Sequence, residues 1–85
     1  MSKGAKFRTS VNLYDATRQS DLKVLLISGD YDIRHSLNEL GIHPGDRIRV
    51  LRRAPFGGPL LIETRGAQVA IGRQLAERIR VEVLQ

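Results

Sequence analysis

The sequence predicts a mostly β protein, a small and strongly bent barrel of about five strands with one short helix. Three observations carry this expectation. Apolar and charged residues alternate at period two in residues 46–53 (DRIRVLRR) and 79–83 (IRVEV), the spacing of half-buried strands. Glycine and proline cut the chain into strand-sized pieces at Gly29, Gly41, Pro44-Gly45, residues 54–59 and Gly66. One window alone, residues 30–41, carries an apolar stripe at helical spacing long enough for a true helix.

At 85 residues the chain makes one domain with a small core. Residues 1–10 hold Lys3, Lys6 and Arg8 among small polar neighbours and read as a disordered basic tail, leaving 11–85 as the folded domain. Residues 11–16 (VNLYDA) start a strand or a short turn. Residues 23–29 (KVLLISG) form an apolar run ended by glycine, which reads as a buried strand. In 30–41, Ile33, Leu37 and Leu40 fall on one stripe and read as core, Asp30 or Asp32 caps the first turn, and Gly41 supplies the left-handed residue that ends the helix. His43-Pro44-Gly45-Asp46 has the residues of a type II turn. Strict alternation in 46–53 would put Arg52 on the apolar face, so the strand is expected to end or bulge near Leu51 and Arg52. Residues 54–59 (APFGGP) are a loop. Residues 60–65 and 67–72 read as a hairpin turning at Gly66, 73–78 as a single helical turn, and 79–83 as the last strand.

Composition narrows the function. With no cysteine, disulfides, thiolate metal sites and thiol catalysis are all excluded. No apolar run approaches the roughly 20 residues that span a bilayer, and residues 1–10 have charge without an apolar segment behind it, so a cytoplasmic location is expected, with no membrane insertion. Fourteen Lys and Arg against nine Asp and Glu give +5, which suits nucleic acid, an anionic surface or an acidic protein. The cations are interleaved with acids, and the aromatics are only Phe7, Tyr14, Tyr31 and Phe56. Stacking platforms for single strands need more rings than that. A basic nucleic-acid-binding barrel is therefore the alternative reading, and no nucleic acid is expected.

The stretch "LNELGIHPGDRIRVLRRAPFGGPLLIETRG", residues 37–66, followed by "IGRQLAERIRV", resembles the FeoA family, small cytosolic proteins of bacterial ferrous-iron uptake. The resemblance runs over roughly residues 13–83. It implies an SH3-like barrel and a non-enzymatic accessory protein that docks on the cytosolic GTP-binding part of the membrane iron transporter and modulates it. It carries no catalytic residues. The family's opening Leu-x-x-Leu-x-Pro-Gly stretch departs here, with Leu13, Ala16, Arg18 and Gln19 at the matching positions and Leu22 where a glycine is common.

Candidate site residues come from 51–61. Arg47 and Arg49 read as the solvated face of a strand, cross-paired with Glu63, Glu82 or Asp46. Arg52 and Arg53 adjoin the Pro-Phe-Gly-Gly loop and either steer a partner or are solvated. Phe56 either anchors a protein partner or caps an open barrel end. Leu51 and Leu61 (with Leu84) fall opposite the inward set of their strands, and with Pro55 and Phe56 they would form an apolar patch rimmed by arginine. The candidate partner-binding set is thus Leu51, Arg52, Arg53, Pro55, Phe56 and Leu61. His35 and His43, with Glu39 one turn after His35, give too few ligands for Fe²⁺ or Zn²⁺, so neither a metal site nor a cofactor is expected. No serine stands in a His-and-acid pattern and no phosphate loop is present, so no catalytic site is expected. Weak self-association stays open.

Overall fold

A computed structural model describes residues 10–16 and 20–84. Six antiparallel strands, rather than five, form one sheet: β1 (Ser10–Asn12), β2 (Asp21–Ile27), β3 (Arg47–Arg53), β4 (Leu60–Thr64), β5 (Ala67–Ile71) and β6 (Ile79–Val83). Their order across the sheet is β1-β6-β2-β3-β4-β5. The helix α1 spans Tyr31–Glu39, and a single turn, α2, spans Arg73–Ala76. The extra strand is β1, whose three residues pair with β6 from Ser10 opposite Glu82 to Asn12 opposite Arg80. Three residues carry no legible alternation, and long-range pairing alone makes them a strand. Ser10, placed in the tail by sequence, is the first residue of β1; residues 1–9, along with Arg18 and Gln19, lie outside the described residues.

Local signals produce the turns. Asp30 accepts a hydrogen bond from the Ile33 backbone N–H at 3.0 Å and so caps α1. Asp30→Ala is expected to cost about 1 kcal/mol in urea unfolding. Gly41, at φ 91°, ends the helix, and the Ile42 N–H reaches back to the Leu37 carbonyl. The 43–46 turn closes with the Asp46 N–H on the His43 carbonyl at 3.0 Å, with Gly45 at φ 94°. Arg65 and Gly66, at φ 54° and 80°, make the two-residue turn between β4 and β5, the hand of turn that matches strand twist.

The inward residues Leu22, Val24, Ile48, Val50, Leu60, Ile62, Ile71, Ile79 and Val81 fill the barrel, closed by Leu13 and by Leu37 from α1. Two expectations about the core fail. Leu40 is 39% exposed, because α1 is only nine residues long and reaches the barrel chiefly through Leu37, with Ile33 half-buried. In β2 a register shift between Val24 and Leu26 against β6 makes Leu25 an extra residue, which leaves both Leu25 and Leu26 exposed. A continuous apolar run gives no sign of that bulge, since any phase of it looks buried.

Candidate functional site

The geometry of the site follows from a second bulge, in β3. Val50 pairs with Ile62 and Arg52 with Leu61, so Leu51 is the unpaired extra residue. The bulge resets the alternation. Arg52 moves out beside Leu61, and Arg53, opposite the buried Leu60, turns in toward the end of the barrel. The expected bulge near Leu51 and Arg52 is present, and it separates two arginines that the sequence treats alike.

Arg53 is held inside the fold. One guanidinium nitrogen donates to the Tyr14 carbonyl and another to the Ala16 carbonyl at 3.1 Å, while the guanidinium carbon lies 4.8 Å from the Tyr14 ring centroid. Arg73 covers the same ring at 5.2 Å. The Tyr14 hydroxyl then donates to the Gly58 carbonyl at 3.0 Å. A planar guanidinium both stacks on a ring and donates in a fork, which a lysine cannot do. Together these contacts tie the 54–59 loop to the 3₁₀ turn at Leu13–Asp15.

That loop presents Phe56. The residue stands fully exposed, relative accessibility 103%, with its backbone at φ 59° and the next residue, Gly57, at φ 73°. Holding a phenylalanine in the left-handed region costs about 1–2 kcal/mol, and its side chain recovers none of this in the folded domain. Of the two readings of Phe56, a cap over the barrel end would require burial. Beside it, Arg52, Pro55, Pro59, Leu61 and Ala70 line a groove of about 360 Å³, with Arg53 at its inner end. Leu51, Arg53 and Leu61 are half-buried, and Arg52 and Pro55 are exposed. All six sequence-nominated residues thus lie in one stretch from β3 to β4, and four of them, Arg52, Arg53, Pro55 and Leu61, line the groove.

The other arginines of the cluster differ in role. Arg49 pairs with Asp21 on β2, its cross-strand neighbour, at 2.8 Å, and not with Glu63, Glu82 or Asp46. The hydrogen bond and charge of Asp21 raise the Arg49 pKa further. Among the described residues, the side chains of Arg47 and Arg52 form no hydrogen bond or ion pair.

The 43–46 turn carries a small charged network. Asp46 accepts from the His43 backbone N–H at 2.9 Å, lies 3.3 Å from its ring Nδ1, and takes a hydrogen bond from Arg65 at 3.1 Å. Burial pushes its carboxyl up, but the bonds from Arg65 and His43 outweigh that and hold its pKa below the usual value. A carboxyl depressed in the folded state stabilises at pH above its unfolded value, near 4, and the contribution is lost as pH falls through the lower folded value. In denaturation from pH 6 to pH 2, Asp46→Asn is expected to start less stable and to show a flatter acid limb than wild type.

A second apolar surface escaped the sequence reading. Leu26, Ile27, Tyr31, Arg34, His35 and Pro44 line a groove of about 500 Å³ between β2 and α1. Tyr31 is 67% exposed and stacks on His35, with ring centroids 5.5 Å apart. His35 also lies 3.2 Å from Glu39. Among the described residues no three His, Cys, Asp or Glu side chains gather as a metal-binding group, and no helix is long and apolar enough to cross a membrane.

The FeoA domain model matches residues 11–83. The chain belongs to the FeoA family. Over 46 residues, about half of each chain, it is 44% identical to a Methanocaldococcus jannaschii protein described as Fe(2+) transport protein A. A crystal structure of an iron uptake regulatory protein, FeoA, superposes with a TM-score of 0.84 at 34% identity, covering 89% of this chain and 100% of that one. A FeoA-like protein from Clostridium acetobutylicum gives 0.82 at 28% identity, covering 93% and 92%. The same SH3-like fold makes up part of a manganese-dependent transcriptional repressor, with a TM-score of 0.83 at 26% identity over 98% of this chain and 47% of that one.

Proposed function

We propose that this FeoA-family chain is a non-enzymatic accessory protein that docks on the cytosolic GTP-binding part of a membrane ferrous-iron transporter and modulates uptake. The observation that carries the reading is Phe56, a fully exposed aromatic on a strained loop that Tyr14 and Arg53 hold in place. Rigid aromatic anchors surrounded by half-buried apolar groups are typical of protein interfaces. Half-buried Leu61 and exposed Pro55 line the groove beside that loop, and Arg52, without an ion-pair partner among the described residues, is suited to an acidic partner. Nucleic acid fits less well. Arg49 is neutralised by Asp21 and Arg53 is turned inward, so the four-arginine cluster presents no continuous phosphate track.

The test is to add the transporter's cytosolic domain to the isotopically labelled chain and follow backbone amide shifts. Shifts centred on 51–61 support the reading, and shifts centred on Leu26 and Tyr31 move the interface to the other groove. A salt series is the second arm. An interface with an apolar centre should weaken only modestly between 50 and 200 mM salt, whereas a loss of about 10³-fold would indicate phosphate binding instead.

A further inference from the structure

The pairing of β4 with β5 decides which backbone groups of β5 look outward. Thr64 and Ala67 flank a two-residue turn, so they exchange hydrogen bonds, and alternation makes Ile62–Val69 and Leu60–Ile71 bonded pairs as well. The N–H and C=O groups of Gln68 and Ala70 therefore point away from β4. β5 ends the sheet, and no described strand pairs with that side. Sheet edges are ordinarily protected by lysine, proline or a bulge. Ala67–Ile71 reads AQVAI and contains none of these.

The side chains of this edge lead into the groove. Arg52 pairs with Leu61 and Leu61 with Ala70, so the three form a row across the outer face of β3, β4 and β5. All three line the groove. A strand added beside β5 would set its residue opposite Ala70 next in that row, and the small methyl of Ala70 leaves room for a larger apolar side chain. Charge selects the occupant. Arg65 and Arg73 frame the edge but are already ion-paired, with Asp46 and Glu77, so the selecting charge is Arg52, which stands across the groove without an ion-pair partner among the described residues. A second copy paired antiparallel about Val69 would place Arg65 opposite Arg73 at both ends, and opposed like charges destabilise a strand pair.

We infer that the β5 edge takes up an extended, acidic segment of a partner protein as an added strand, with one apolar side chain seated beside Ala70 in the Leu61 groove. This rests on the docking reading and names the form of the docked segment.

The experiment has two arms. In the first, the full chain is titrated with the capped peptide Asp-Thr-Val-Thr-Val-Thr-Asp and with the same peptide carrying Lys in place of Asp. The acidic peptide is expected to shift the Gln68 and Ala70 amides, to slow their hydrogen exchange, and to bind at least about ten-fold more tightly than the basic one. Ala70→Pro removes one outward N–H while leaving the bonds to β4 intact, so it should abolish the effect; Gln68→Pro serves if the first variant misfolds. No shift at millimolar peptide, or equal response to both peptides, overturns the inference. In the second arm the transporter's cytosolic domain replaces the peptide. Binding that Phe56→Ala weakens but Ala70→Pro leaves unchanged overturns the added strand and keeps the docking reading. A peptide response without any binding of the domain does the reverse. Dimerisation of the wild-type chain that Ala70→Pro abolishes would assign the edge to a second copy and overturn the acidic-partner assignment.

Discussion

Arg53→Ala is expected to lower the unfolding free energy by about 3 kcal/mol, since hydrogen bonds from a charged donor contribute roughly 1.5–3 kcal/mol and the cation–π contact about 0.5–2 kcal/mol. The substitution removes both donors to the carbonyls of Tyr14 and Ala16 and the guanidinium stacked on the Tyr14 ring. In a domain of this size the melting temperature should fall by more than about 12 °C. Arg53→Lys keeps the charge without the planar fork and should recover less than half of the loss. Full rescue by lysine would mean that charge alone matters at this position. Arg53→Glu therefore reports on folding before it reports on binding, and Arg52→Glu is the clean test of electrostatic steering.

Phe56→Ala is expected to act in the opposite sense. No contact is lost from a side chain this exposed, so stability should stay within about 0.5 kcal/mol of wild type in urea unfolding. Affinity for the transporter's cytosolic domain should fall about 30-fold, the equivalent of a 2 kcal/mol hot spot. A stability loss of several kcal/mol would show that Phe56 is packed in solution, and unchanged affinity would remove it from the interface. The two variants separate the framework of the loop from what the loop displays. Tyr14→Phe lies between them: it cuts the bond to Gly58 and should loosen the loop, with smaller losses in both stability and affinity.

Much of the barrel was readable in advance because the signals are local. The cap at Asp30, the turn at Pro44-Gly45, the hairpin at Gly66 and the alternation of 46–50 and 79–83 each depend on a few neighbouring residues. Residues 11–16 read as a strand or a short turn and hold both, the end of β1 and a 3₁₀ turn at Leu13–Asp15; the sequence alone does not choose between them, because β1 owes its conformation to β6, far away in sequence. The groove beside Tyr31 was missed because the bulge at Leu25 reverses the phase of an apolar run that looks buried in any phase. Of the residues read as one patch from Leu51 to Leu61, Arg52, Arg53, Pro55 and Leu61 line one groove, while Phe56 stands exposed on the loop and Arg53 is turned inward, a difference that depends on pairing between strands.

By itself the sequence determined the β-barrel class, the positions of its turns and the family to which the chain belongs. Tertiary structure alone decided which way each side chain faces after a bulge. One unpaired residue, Leu51, turns Arg53 into the fold and Arg52 out of it, because side-chain direction in a strand has period two and a single insertion inverts it. The alternation of 46–53 already points to a bulge near Leu51 and Arg52, and pairing with Ile62 and Leu61 on the neighbouring strand decides that Leu51 is the extra residue.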